Sequence, residues 1–62
     1  MYIIKVNDIY ISEYEFRDYE IAMNFTTNKD YAVRFEENVI DYYISIIESF
    51  FYNSDVIKED IE

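Results

Sequence analysis

The sequence predicts an α+β fold: a three-stranded antiparallel sheet, a hairpin plus one strand, packed on one long C-terminal helix. Two periodicities carry this reading. Residues 2–14 give two β-rich runs and residues 19–26 alternate apolar and polar side chains with a period of two, whereas apolar residues between 36 and 52 recur at intervals of three and four. The 62 residues are expected to form one small domain.

The first two strands are YIIKV and IYISEY, separated by Asn7 and Asp8, a pair that tolerates the positive φ of a two-residue hairpin turn. That turn sets Val6 opposite Ile9, Ile4 opposite Ile11 and Tyr2 opposite Glu13 on one face. Lys5 then meets Tyr10, and Ile3 meets Ser12, on the other. The first face has wholly aliphatic central pairs and is expected to be the core face, which leaves Tyr10 and Tyr14 on the opposite side. A short charged link around Phe16–Asp18 leads to a third strand, YEIAMNFT, with Tyr19, Ile21, Met23 and Phe25 on one side.

Thr27 and Asn28 are N-cap candidates, with Asp30 in the first turn of a short helical stretch through Tyr31, Ala32 and Phe35. A strand at YAVRF is the alternative. The long helix spans about residues 36 to 52, with Glu36 and Glu37 near the positive end of its dipole. Its polar face is narrow, formed by Glu37, Asp41, Ser45 and Glu48. Tyr42, Ile46 and Phe50 therefore flank an apolar stripe broader than one small sheet needs, and a homodimer through the helix is one expectation. The tail SDVIKEDIE reads either as a fourth, edge strand or as a frayed acidic end. The expected core is Ile4, Val6, Ile9, Ile11, Ile21, Met23, Phe25, Phe35, Ile40, Tyr43, Ile44 and Ile47.

Composition narrows the function classes. The chain is 52% hydrophobic and 21% aromatic, too apolar for a disordered acidic tail. It has no Cys, so no disulfide or thiolate site is available and the redox compartment is not constrained; a cytoplasmic setting is the default expectation. No signal-like N-terminus and no long apolar span are visible, which points to a soluble protein. Without His, Cys or Gly there is no imidazole base, thiol nucleophile or phosphate-cradling glycine loop. No enzyme activity, cofactor or metal site is expected.

The net charge of −9 comes from fourteen acids against five bases. It disfavours nucleic acid and anionic membranes as direct partners, because phosphate contacts need Lys and Arg. A cationic protein partner fits it better. The acids concentrate among aromatics in SEYEFRDYE, where Glu13, Tyr14, Glu15, Asp18, Tyr19 and Glu20 form the candidate partner-binding set. Alternate strand residues share a face about 6.6 Å apart, twice the roughly 3.4 Å step of one DNA strand, so Glu13 and Glu15 can stand in for phosphates. Asp18 and Glu20 form a second such pair. Asp41 and Glu48 lie two helical turns apart, about 10 Å. The bland reading of each pair is a solvated acidic face.

The opening YIIKVNDIY and the later FTTNKDYAVRF, followed by an apolar helix, resemble short open reading frames of phages infecting AT-rich Gram-positive bacteria. Among such proteins, the size and charge are similar to those of type II-A anti-CRISPR inhibitors. The resemblance implies an acidic inhibitor that binds the CRISPR effector nuclease where it would hold DNA, with the acids and tyrosines of SEYEFRDYE as the contact set. A phage or host adaptor module, working as a homo-oligomer without mimicry, is the competing reading.

Overall fold

The computed structural model describes residues 1–17 and 20–61, with the backbone alone at Phe16 and Ile21. Asp18, Tyr19 and Glu62, together with the Ile21 side chain, lie outside the described residues. The elements run β1 (Tyr2–Val6), β2 (Ile9–Arg17), β3 (Glu20–Thr26), a 3-10 turn (Lys29–Tyr31), α1 (Glu37–Phe50) and β4 (Val56–Asp60). The architecture is α+β, as the sequence predicts. The four strands form an antiparallel sheet in the order β3-β2-β1-β4, so the C-terminal tail supplies the fourth, edge strand.

Asn7 makes the first turn with φ 56°, and Val6 pairs with Ile9 and Lys5 with Tyr10. Beyond these pairs the expected register ends. Tyr2 bridges to Phe35 rather than facing Glu13, exchanging hydrogen bonds of 2.8 and 2.7 Å, while the Val33 N–H donates to Ile11 O at 2.9 Å. The segment Val33–Phe35 thus wedges between β1 and β2, serving the backbone groups that a continued hairpin would have paired. Burying Phe35 compensates for the lost ladder.

A β-bulge follows on β2. Ile11 pairs with Phe25 but Glu13 pairs with Asn24, leaving Ser12 as the extra residue. An inserted residue reverses the side to which every later side chain points. Tyr14 therefore turns toward the helix, where it packs on the core, and not to the opposite face expected from strict alternation. Glu13 and Glu15 turn away from the core. Phe16 and Arg17 belong to β2, paired with Ile21 and Glu20, instead of to a link.

α1 lays Ile40 and Ile47 onto Ile4, Val6, Ile11 and Phe35, all buried. Full burial of each large aliphatic side chain is worth about 1.5–3 kcal/mol before entropy is counted. Met23, Tyr43 and Ile44 pack at the rim of this cluster, Ile9 is half-buried, and Phe25 is 37% exposed, so the core is narrower than the pattern suggested. Ile3 is a correction in the other sense: it points away from α1 yet is fully buried. The chain after β3 crosses that face, with Ala32 buried and Lys29 paired to Glu59, the register partner of Ile3 on β4. Asn28 caps the 3-10 turn, its side chain accepting from the Asp30 N–H at 3.0 Å. β1 is thereby covered on both faces.

Candidate functional site

The β2–β3 ribbon presents Glu13, Glu15 and Arg17 beside Asn24, Ala22 and Glu20 on its side away from the Tyr14 and Met23 packing. All six side chains are exposed. Three carboxylates of the expected set, Glu13, Glu15 and Glu20, therefore share one face through the β2–β3 register, and the Ser12 bulge turns that face away from the core. Tyr14 is not. Its ring stacks on Phe35 at 5.2 Å and tilts against Tyr43 at 5.1 Å. Its hydrogen bond to Tyr43, followed by burial, raises the hydroxyl above the usual tyrosine range. Tyr14 holds the ribbon to α1 from the opposite side. Asp18 and Tyr19 are outside the described residues.

Two polar neighbours not in the expected set shape the acidic face. Arg17 Nε donates to Glu15 Oε1 at 2.6 Å, and Asn24 Nδ2 donates to Glu13 Oε1 at 3.5 Å. The Arg17 contact was legible as an i, i+2 charge pair once residues 16 and 17 are strand. Reading them as a link hid it. Glu15, Arg17, Glu20, Ala22 and Phe50 also line an open cleft of about 490 Å³. Phe50 brings an apolar wall from α1, and it is 53% exposed.

Elsewhere, two lysines are engaged by acids. Lys29 pairs with Glu59, and Lys58 Nζ lies 3.0 Å from Asp41 Oδ1, which in each case raises the lysine above its ordinary range. Lys58 also sits 5.2 Å from the centre of the Tyr2 ring. Lys58 thus ties β4 to the exposed face of α1 through Asp41, whose side chain stays open to solvent. Among the described residues no group of three or more acids is arranged to hold a metal ion, and no helix is long and apolar enough to cross a membrane.

No protein-family model, curated protein or solved structure matches the chain. The chemistry open to this face is that of fixed negative charge. Its carboxylates can accept hydrogen bonds from guanidinium and ammonium groups, and Phe50 offers a ring surface at the rim.

Proposed function

We propose that the protein is an anti-CRISPR inhibitor that occupies a cationic nucleic-acid-binding site of a type II CRISPR effector nuclease, acting as an acidic DNA mimic in the bacterial cytoplasm. The observation that supports this most is the grouping of Glu13, Glu15 and Glu20 on one exposed ribbon face. Along one strand, Glu13 and Glu15 stand about 6.6 Å apart on a regular backbone, a spacing that arginines arrayed for phosphates can accept. The overall charge of −9 steers the encounter. In this reading Glu13, Glu15 and Glu20 make contact and Tyr14 only supports the ribbon, while Asp18 and Tyr19 of the expected set lie outside the described residues.

The test is a pull-down from a lysate of a CRISPR-bearing Gram-positive host, followed by competition with target DNA. Recovery of the nuclease, released by DNA and inhibited in cleavage, is the expected result. A nuclease that binds this protein and DNA together with cleavage intact ends the mimic reading. The second reading is an interaction module working as a homo-oligomer without mimicry, favoured by the exposed aromatics Tyr42 within α1, Phe50 at its C-terminal end and Tyr52 just beyond it.

A further inference from the structure

The two edges of the sheet are not alike. β4 has five residues and carries Lys58, Glu59 and Asp60, the charged edge by which folded proteins discourage strand addition. β3 has seven residues and, after Glu20, opens the longest uncharged run in the chain, Ile21–Asn28. No charge follows Glu20 within the strand. There is no Pro, no Lys within the strand, and the bulge lies on the β2 side of the ladder. As an edge strand, β3 turns the N–H and C=O of alternate residues outward. Ala22, Asn24 and Phe25 along it are exposed, with Phe50 bordering the cleft beside Ala22.

We propose that β3 pairs antiparallel with β3 of a second copy of this chain, joining two four-stranded sheets into one. A second copy is the occupant that the strand's own sequence fits, because a two-fold antiparallel pairing of β3 sets no like charges opposite each other. A cationic partner drawn by the net charge is steered to the carboxylates, whereas this edge beyond Glu20 offers backbone hydrogen bonds and uncharged side chains. A two-fold axis at Met23 sets Ile21 opposite Phe25 of the second copy and Ala22 opposite Asn24 of the second copy. It sets Glu20 opposite Thr26 of the second copy, so the strand's one carboxylate avoids its counterpart. The pairing is independent of the mimic reading, and its response to salt has the opposite sign. Screening relieves repulsion between two chains of like charge, so salt strengthens the dimer while it weakens binding to a cationic groove.

The test is sedimentation velocity of the full chain from micromolar to millimolar concentration, at low and high salt. Expected is a monomer–dimer equilibrium that shifts toward dimer with salt. The double variant A22K/N24K places Lys opposite Lys across the axis, twice, while each new Lys faces Glu15 or Glu13 of its own β2, which keeps the fold. It is expected to raise the dimer dissociation constant about tenfold. A22K/N24E, folded by circular dichroism, places Lys opposite Glu and is expected to restore the dimer. A wild-type chain that stays monomeric throughout overturns the proposal, as does a dimer indifferent to A22K/N24K.

Discussion

Asn7 and Asp55, far apart in sequence, exchange two hydrogen bonds. The Asn7 N–H donates to Asp55 O at 2.9 Å, and the Asp55 N–H returns to Asn7 Oδ1 at 3.1 Å. Asn7 thus turns the first hairpin with a positive φ and also positions the start of β4, placing β1 between two partners. Asn7→Gly keeps the turn and loses the side-chain acceptor, and is expected to cost about 0.5–1.5 kcal/mol. Asn7→Ala adds the left-handed backbone penalty of about 1–2 kcal/mol. Urea denaturation should rank them wild type, Gly, Ala. An Ala variant as stable as wild type removes the clamp from the account.

Packing on α1 separates two isoleucines that periodicity alone treats as equals. Ile47 is 1% exposed, while Ile44 sits half-buried at the rim. Ile47→Ala is expected to cost about 2–5 kcal/mol, enough to unfold a domain of this size, whereas Ile44→Ala should cost clearly less. Thermal melts of both variants decide it, and equal losses would place the helix in the wrong rotation.

The hydrogen bond between Tyr14 and Tyr43 predicts an alkaline limit. Tyr14, Lys29 and Lys58 all have folded-state pKa values raised above their ordinary ones. The stability from each is fully present below its unfolded value and is lost as pH rises through the folded value. For these groups melting temperature should stay level through neutral pH and fall above about pH 10. Tyr14→Phe should lower the neutral-pH melting temperature and make the alkaline fall shallower. An unchanged alkaline profile would show that the Tyr14 hydroxyl does not contribute to it.

Much of this fold was legible where local chemistry and periodicity agree. Asn7-Asp8 announced its turn, Asn28 its cap, and residues 36–52 their helix. The tail left two outcomes open because VIKED alternates too weakly to declare a strand; pairing with β1 decides it. What strict alternation could not show is the Ser12 bulge, which is a response to distant residues. Val33–Phe35 separates β1 from β2, and the parity of β2 changes just after Ile11, whose carbonyl accepts from Val33. That one residue decides the candidate site, because it moves Tyr14 into the packing and Glu13 and Glu15 out of it. Ile3 was missed for a related reason, since a crossing segment covers its face.

The acidic face makes a prediction in which Arg17 is the informative residue. If carboxylates on the ribbon bind a cationic groove, Arg17 competes with that groove for Glu15, and Arg17→Gln should tighten binding to the nuclease. Glu13→Lys with Glu15→Lys should weaken it without unfolding the chain. The matching control is Glu48→Lys with Asp55→Lys, exposed acids on α1 and before β4, which changes net charge equally but leaves the ribbon intact. Glu59 is unsuitable as a control, because its buried Oε2 faces Lys29 and reversal would disturb the sheet. Affinity measured across a salt series should fall steeply for wild type, since exposed charges are screened over about 8 Å at physiological ionic strength. The ribbon variant should show a shallower slope. Equal weakening by the ribbon and control pairs would reduce the effect to net charge, and a flat salt series would exclude charge mimicry altogether.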